Sequence, residues 1–383
     1  MKRIALAWEQ GGNQGHLVRL RRLCDELERA GAAPVWALAP HRRGLAALAG
    51  DPRPHVQAPP VLTRPLGAVL STADLLVSQG FLDDAYLLAS IRAWHALWQR
   101  ERIAGVVADY APVAQLAAWA AGLPVLQVTN GFDSPPADLP IFATRFNGEY
   151  FVRKNAVTVA ALSRSLERVG RIFGRALSLA VLFDAPDRLL DCVPQADPHG
   201  PRSPSAYVGP LGQLPCADEA TWTGRPGMKR AFAYLRGQAA VAAFAAASSG
   251  RNWELFCVCP DWTGDTVALG EHVRLTRTPV DIASALRDCD AVLNYGSSTL
   301  VSQVILAGKP QLMMPPDIEK WTIAATVARH DLGRLVLPTG DLGGALDWLS
   351  SPGAIERAAL LGEQLRAMSL GDRLTERIER WIR

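Results

Sequence analysis

The sequence contains no long hydrophobic run and little cysteine, and these absences exclude several classes of protein. No apolar stretch in the 383 residues reaches ~18 positions without a charged or helix-breaking residue, so no membrane-spanning helix is predicted. The apolar run that follows Met1-Lys2-Arg3 is too short for the core of a signal peptide. A cytoplasmic protein is therefore expected, and its net charge of +3 is too balanced to indicate a nucleic-acid partner.

Metal and cofactor motifs are also missing from the sequence. The six cysteines are scattered, and the CxC formed by Cys257 and Cys259 has no second pair to complete a zinc site. An Asp-x-Asp at Asp288 and Asp290 precedes its predicted strand and is better explained as a turn. Neither a Gly-Lys-Ser/Thr loop nor a Gly-x-Gly-x-x-Gly loop is present. We therefore expect free thiols, no metal and no resident cofactor.

What the sequence does contain is a repeated alternation of short apolar strands with longer amphipathic helices. Its 49% hydrophobic and 20% charged residues are typical of a globular protein, and its length suits two or three domains. Strands are predicted at residues 3–8, 34–38, 105–108, 124–128, 231–235, 255–258, 291–294 and 311–314. Helices are predicted at residues 17–30, 84–100, 111–121, 301–307, 321–330 and 355–383. The alternation predicts α/β domains, each with a parallel sheet and helices on both faces.

A segment rich in proline, glycine and aspartate at residues 184–224 interrupts this alternation and predicts a domain boundary. The predicted parts are an N-terminal domain at 1–205, a linker at 206–224, a C-terminal domain at 225–365, and a helix at 366–383 that could pack back on the N-terminal domain. Because ligands of open α/β sheets lie outside the carboxyl ends of the strands, a cleft between the domains is the expected site.

A glycine-rich turn with a histidine follows the first strand and opens the first helix. The segment runs from Trp8 to Arg19 and places His16 just inside the helix. Glycines allow close backbone approach, and a helix start offers free N–H groups to a polar ligand. Histidine is the commonest general base in enzymes. His16 is therefore a candidate base, with helix capping or a place in the core as the alternative.

The strand predicted at residues 105–108 leads directly into Asp109. Its carboxylate is thereby predicted to lie at the same sheet edge as His16. A carboxylate bonded to one imidazole nitrogen holds the ring tautomer and stabilises the imidazolium that forms. Capping of the helix that begins near Ala111 is the alternative, and the two roles fit the sequence about equally.

A turn rich in glycine, serine and threonine follows the strand at 291–294. It covers residues 295–299 and leads into a helix, so N–H groups and hydroxyls form a phosphate-sized cradle. Simple helix capping by Ser297 or Ser298 is the alternative.

Together, the three motifs resemble in order and spacing the GT-B fold glycosyltransferases, above all the family-1 UDP-glycosyltransferases and their bacterial relatives. The resemblance covers nearly the whole chain. Residues 11–19 are similar to the family's Gly-x-Gly-His segment, and residues 107–109 to the strand end whose Asp orients the base. Tyr-Val-Gly-Pro-Leu at 207–211 resembles the start of the interdomain linker. Residues 295–310 and 315–324 are similar to the family's donor-binding stretches.

The resemblance implies two Rossmann-like domains that face each other across a cleft, the first binding an acceptor and the second a nucleotide sugar. It implies His16 as the catalytic base and Asp109 as the residue that orients it. The donor-binding residues that it implies are Arg236, Pro279, Val280, Tyr295, Gly296, Ser297, Ser298, Thr299, Gln303, Glu319 and Lys320. The acceptor-binding residues are Gly12, Asn13, Gln14, Gly15, Asn130 and Phe132.

The sequence departs from the family at the donor site. Tyr295 replaces the His that contacts the diphosphate, and Gln303 replaces the Glu that takes the ribose hydroxyls. Glu319-Lys320 replaces the Asp-Gln pair that holds the donor sugar. Arg236 stands at the family's Leu-Gly-Ser/Thr turn, where it could make a bidentate phosphate contact; a solvated arginine is the alternative. These changes bear on donor choice more than on the fold.

The function implied is inverting, metal-independent sugar transfer from a nucleotide diphosphate sugar, with UDP expected, to an acceptor hydroxyl. One alternative is a GT-B nucleotide-sugar hydrolase or 2-epimerase. Another is a non-catalytic GT-B protein that binds a sugar or activates a partner, which the altered donor residues favour and the His16–Asp109 pair opposes. The expected partners are the donor and a small-molecule, glycan or lipid acceptor, without nucleic acid or stable membrane insertion. Trp8, Phe132 and Phe146 are candidates to line an apolar acceptor pocket, with a place in the ordinary core as the alternative.

Overall fold

The structure is a computed structural model that describes residues 1–10, 15–42, 48–64, 69, 71–136, 148–212, 218–222, 224, 226–266 and 269–383. The chain divides into two compact units, each built on a six-stranded sheet. The first unit contains residues 1–191, 199–212 and 371–383, and the second contains residues 192–198 and 213–370. The chain therefore passes between the units more than once.

The first unit is a parallel sheet with the strand order β3-β2-β1-β4-β5-β6. Its strands are β1 (Arg3–Trp8), β2 (Ala33–Leu38), β3 (His55–Gln57), β4 (Ile103–Asp109), β5 (Val125–Thr129) and β6 (Arg188–Leu190). Its first helices are α1 (Gly15–Arg29), α2 (Thr72–Ser78), α3 (Asp84–Glu101), α4 (Pro112–Ala121), α5 (Glu149–Ile172) and α6 (Ala180–Phe183). The central strands are apolar along nearly their whole length because both faces of the sheet are covered: Leu6, Val106 and Val107 are fully buried.

The second unit repeats this plan with the order β12-β11-β10-β7-β8-β9, again with parallel pairing. Its strands are β7 (Lys229–Tyr234), β8 (Trp253–Val258), β9 (Val273–Thr276), β10 (Ala291–Asn294), β11 (Gln311–Met313) and β12 (Gly333–Leu335). Its helices are α7 (Gln238–Ser248), α8 (Ile282–Asp288), α9 (Ser298–Leu306), α10 (Ile318–Arg329), α11 (Leu342–Leu349) and α12 (Pro352–Ala367). The residues Asp288 and Asp290 flank the short turn between α8 and β10.

The last helix, α13 (Leu370–Ile382), belongs to the first unit from its second residue onward. Its Thr375 hydroxyl donates to Glu26 Oε2 at 3.1 Å, and Lys2 Nζ donates to the carbonyl of Ile382 at 2.5 Å. The single helix predicted at residues 355–383 is therefore two helices. The break falls at Ser369, whose φ of 46° lies in the left-handed region and ends the regular helical path.

Both sheets have the doubly wound order in which the chain leaves the centre first to one side and then to the other. This order confirms the predicted class of two Rossmann-like α/β domains. The direction reverses between β1 and β4 in the first unit and between β7 and β10 in the second. Ligands of such sheets bind outside the carboxyl ends of the strands at this reversal, so each unit has one favoured position for a site.

Candidate functional site

The reversal point of the first sheet brings together the two candidate catalytic residues. His16 is the second residue of α1, which follows β1, and Asp109 is the last residue of the neighbouring strand β4. His16 Nδ1 lies 2.9 Å from Asp109 Oδ1. The Asp109 side chain is completely buried, whereas 24% of the His16 side chain remains exposed. One ring nitrogen is thus held by a carboxylate while part of the ring stays accessible.

Arg19 completes this cluster and was not singled out from the sequence. Its Nε donates to Asp109 Oδ2 at 2.9 Å, and its NH2 group donates to Asp109 Oδ1 at 2.7 Å. NH1 forms a third charged contact, 2.9 Å from Oδ1 of Asp191. Residues three positions apart lie on the same face of a helix, as His16 and Arg19 do. This spacing was the sequence signal that could have placed Arg19 beside the histidine. No comparable signal pointed to Asp191, which follows the short edge strand β6.

Burial and charge act against each other in this cluster. Burial would raise the pKa of Asp109, but Arg19 and His16 outweigh it, and the pKa lies below its ordinary value. Burial prevails at Asp191 and raises the pKa of that carboxyl to about 7, although Arg19 opposes the shift. Burial also disfavours the charge of Arg19, yet the surrounding carboxylates raise its pKa above the ordinary value. Asp109 and Arg19 are therefore ionised at neutral pH, and Asp191 titrates there.

The helix-capping alternative for Asp109 is not found, because another carboxylate caps α4. Glu9 accepts hydrogen bonds from the backbone N–H groups of Val113 at 3.0 Å and Ala114 at 2.6 Å. Trp8, the preceding residue, stacks on His16 with ring centroids 5.0 Å apart and an interplanar angle of 20°. The last residue of β1, Trp8, therefore supports the histidine, and the residue that follows it, Glu9, supports α4.

The predicted acceptor-binding residues are only partly described. Gly12, Asn13 and Gln14, together with the aromatic Phe146, lie outside the described residues. Gly15 is the first residue of α1. Asn130 and Phe132 lie in the turn after β5, where Asn130 Oδ1 accepts from the N–H of Phe132 at 3.1 Å, and Phe132 is buried.

At the reversal point of the second sheet, Arg236 and Tyr295 come together. Arg236 follows β7 and Tyr295 follows β10, and the guanidinium carbon lies 5.7 Å from the centroid of the tyrosine ring. Tyr234 packs on the same ring at a centroid distance of 5.9 Å. Asp261, in the turn after β8, accepts from the N–H of Gly237 at 3.0 Å and was not foreseen from the sequence. A cation and two phenols therefore lie at this edge.

The loop before α9 packs closely against the start of α10. Gly296 has a φ of +84°, and a Cβ at this position would lie 2.9 Å from the carbonyl oxygen of Lys320. Only glycine fits both the conformation and the space. Lys320 is itself buried, and its Nζ donates to Glu319 Oε2 at 2.6 Å. Burial disfavours its charge, but Glu319 and Asp317 raise the pKa of Lys320 above the ordinary value, so the ammonium stays charged.

The serines of this loop do not cap α9 with their side chains. Ser297 occupies the capping position without a side-chain hydrogen bond to the helix. Ser298 Oγ is buried and has no hydrogen-bond partner within the described part of the chain. A buried hydroxyl without a partner is uncommon and indicates a place where a polar ligand could bind. Thr299 is the second residue of α9, next along the chain.

The remaining donor candidates line two cavities of the second unit or lie beside them. Val280 is buried and helps to line a cavity of about 650 Å³ between β9 and the loop that leads to α8, which also contains Pro279. Gln303 lines a different cavity of about 530 Å³, together with Ile282 and Leu286 of α8. The structure therefore brings Arg236 to Tyr295 and Gly296 to Lys320, whereas Gln303 and Val280 line different cavities.

Neither a metal-binding cluster nor a membrane-spanning helix is found in the part of the chain that the structure describes. No group of three or more His, Cys, Asp or Glu side chains in the described ranges is arranged to hold a metal ion. The five described cysteines are free and buried, and Cys216 lies outside the described residues. None of the described helices combines the length and apolar character needed to cross a bilayer.

Comparison with known proteins identifies the fold. No family model and no curated protein matches the chain. The calicheamicin glycosyltransferase CalG4 is similar at a TM-score of 0.74 and 18% identity, covering 100% of this chain and 98% of CalG4. The glycosyltransferase VinC, solved in complex with dTDP, has a TM-score of 0.70 and 17% identity over 99% and 100% of the two chains. The spinosyn rhamnosyltransferase SpnG, complexed with spinosyn aglycone, has a TM-score of 0.65 and 16% identity over 96% and 97%.

At these identities, the likeness establishes the fold, and the chain has the GT-B fold. The resemblance drawn from the sequence is confirmed at this level. Because one fold can host several activities, the activity has to be argued from the residues of the site.

Proposed function

We propose that the protein is an inverting glycosyltransferase that moves a sugar from a nucleoside diphosphate sugar to an acceptor hydroxyl. The observation that carries this proposal is the contact of His16 Nδ1 with the buried Asp109 Oδ1 at 2.9 Å, at the reversal point of the first sheet. The same relationship of imidazole to carboxylate serves general-base catalysis on unrelated folds.

In the proposed reaction, Asp109 accepts a hydrogen bond from the Nδ1–H group of His16, which leaves the lone pair of Nε2 free to take a proton. The acceptor hydroxyl gives its proton to Nε2 as its oxygen attacks the anomeric carbon. The bond from that carbon to the diphosphate oxygen breaks, and the diphosphate leaves with the bonding electrons. A single displacement of this kind inverts the anomeric centre. A positioned base contributes ~10²–10⁴-fold, so the remaining acceleration has to come from orientation and stabilisation of the leaving group.

We assign the diphosphate to the start of α9, without a metal ion. The free N–H groups and positive dipole end of a helix start attract phosphate, and the unpartnered Ser298 hydroxyl adds a donor. Arg236 supplies a cation at the same sheet edge. We assign the donor sugar to Glu319 and Lys320, and the nucleoside to the region of Val280.

The nucleotide is proposed to be UDP, with dTDP as the competing choice. The sequence resemblance favours UDP, whereas VinC was solved with dTDP. A ligand stabilises the folded protein by RT ln(1 + [L]/Kd), so the preferred nucleotide gives the largest rise in Tm at equal concentration.

The test is an assay of nucleoside diphosphate release from UDP- and dTDP-sugars, with and without aromatic, polyketide and lipid alcohols. We expect release that depends on the acceptor and a product of inverted anomeric configuration. Sustained release without any acceptor would instead identify a hydrolase or 2-epimerase. Nucleotide binding without turnover on any acceptor would identify a non-catalytic binding protein.

A further inference from the structure

The proposed reaction leaves two buried charged residues of the first unit without a part. Arg19 and Asp191 are 6% and 2% exposed, and the NH1 group of Arg19 lies 2.9 Å from Asp191 Oδ1. The remaining donors of Arg19 bind both carboxylate oxygens of Asp109. One guanidinium therefore joins two carboxylates, one of which contacts His16.

We propose that Arg19, held on its far side by Asp191, is a positioning residue that fixes the Asp109 carboxylate against the His16 ring. This inference rests on the proposed function, since it concerns the same base. The planar guanidinium presents its donors in a fixed fork that matches the two carboxylate oxygens. With both oxygens held, the carboxylate plane cannot rotate away from the imidazole. The NH2 group also lies 3.1 Å from His16 Nδ1, so guanidinium and ring meet at the same oxygen, Oδ1.

The charges around Arg19 make this arrangement sensitive to pH. The groups that face it are His16 on its own helix, Asp109 on β4, Asp191 after β6 and Asp133 after β5. Asp109 takes two of the hydrogen bonds and stays ionised, while burial raises the pKa of Asp191 to about 7. Protonation of Asp191 would leave Arg19 with a neutral partner on its far side. The support for Asp109 is therefore strongest above neutral pH.

Three variants test the proposal through turnover. Arg19→Lys keeps the charge but cannot form the fork, and we expect kcat to fall ~10- to 100-fold, part of what a positioned base contributes, with an unchanged donor KM. Asp191→Asn keeps an acceptor for NH1 but removes the ionisation, so the pH profile of kcat/KM should lose one ionisation near neutrality. Arg22→Lys is the matched control on the same helix, because Arg22 is 48% exposed and pairs with Glu26. It should behave like the parent protein.

A spectroscopic readout separates this inference from the proposed function. The ¹⁵N NMR signals of the His16 ring report which nitrogen carries the proton. We expect the Nδ1-protonated form in the parent protein and a mixture of tautomers in Arg19→Lys, even if no sugar is transferred. An unchanged tautomer in Arg19→Lys, or the same loss of kcat in Arg22→Lys, would overturn the proposal. If Arg19→Lys does not fold, the test uses Asp191→Asn by itself. A pH profile of kcat/KM that is the same in Asp191→Asn as in the parent protein would then reject the role of the Arg19–Asp191 pair.

Discussion

His16 and Asp109 are separated by 93 positions in the sequence, and their side chains meet at 2.9 Å. They meet because β1 and β4 are adjacent parallel strands, which bring whatever follows their carboxyl ends to one place. The first turn of α1 then adds Arg19 to the same carboxylate. The site therefore depends on the strand order of the sheet and on one turn of helix.

Replacing His16 by alanine should abolish transfer while leaving nucleotide binding intact. The change removes the proposed base, which is worth ~10²–10⁴-fold in rate, but touches none of the second-unit residues assigned to the donor. Initial rates and calorimetric titration with the nucleoside diphosphate measure the two effects separately. Turnover equal to that of the parent protein would reject the assigned role.

Replacing Asp109 by alanine should destabilise the protein strongly. The change takes the bidentate partner from a buried guanidinium, and breaking a buried ion pair in this way costs ~3–5 kcal/mol. Urea unfolding at neutral pH measures the loss. Glu376→Ala is the matched control, because the pair of Glu376 with Arg380 is two-thirds exposed and should change the free energy of unfolding by less than ~1 kcal/mol. Equal losses in the two variants would contradict the prediction.

Replacing Ser298 by alanine should raise the donor KM without lowering stability. Its hydroxyl has no partner in the described chain, so the folded protein loses no hydrogen bond, whereas a bound diphosphate would lose one worth ~1 kcal/mol or more. Steady-state kinetics and thermal unfolding together check this. Ser302→Ala on the same helix is the control, because Ser302 Oγ accepts from the N–H of Val193 at 3.3 Å and its loss should lower Tm only. A donor KM that is unchanged in Ser298→Ala would remove Ser298 from the donor site.

Replacing Arg236 by alanine should also raise the donor KM, by ~10-fold or more, since a charged hydrogen bond contributes ~1.5–3 kcal/mol. Arg334→Ala is the matched control in the same unit, because Arg334 also lies over an aromatic ring, that of Trp348 at 4.8 Å. Kinetics with varied donor concentration compare the two variants. The assignment fails if both variants keep the parental KM, or if both raise it equally.

The stability of the protein should depend on the ionisation of Asp191. Its folded pKa of about 7 lies above the ordinary value of 3.8, so between these values the folded carboxyl binds a proton that the unfolded one releases. Asp191 therefore costs stability increasingly as the pH rises from about 4 to 7, by up to ~1.4 kcal/mol for each pH unit. Asp191→Asn should be close to the parent protein in stability near pH 4, and its advantage over the parent should grow until about pH 7. Urea unfolding across this range checks the sign, and a constant difference would contradict it.

The sequence predicted the central strands well and missed the edge strands. Every strand predicted from the sequence is present, but β3, β6, β9 and β12 were not predicted. These four form the outer edges of the two sheets and are three or four residues long. A short and partly exposed strand has no long apolar run, so its pairing with the sheet decides its conformation.

Within the candidate site, the sequence supplied His16 and Asp109 because each follows a strongly apolar strand at a sheet edge. It left the role of Asp109 open between orienting His16 and capping α4, and in the fold the N–H groups at the start of α4 are bound by Glu9, which was not foreseen. Asp191 follows an edge strand that was not predicted, so its approach to Arg19 could not be foreseen.

The sequence by itself determined the two α/β units, the positions of their central strands along the chain and the glycine and histidine turn, because apolar periodicity and glycine placement are local properties of a chain. Only the tertiary structure decided which charged residues share a buried partner. Burial and pairing depend on contacts between residues up to 172 positions apart, and these contacts, rather than residue type, leave Asp109 ionised and raise the pKa of Asp191.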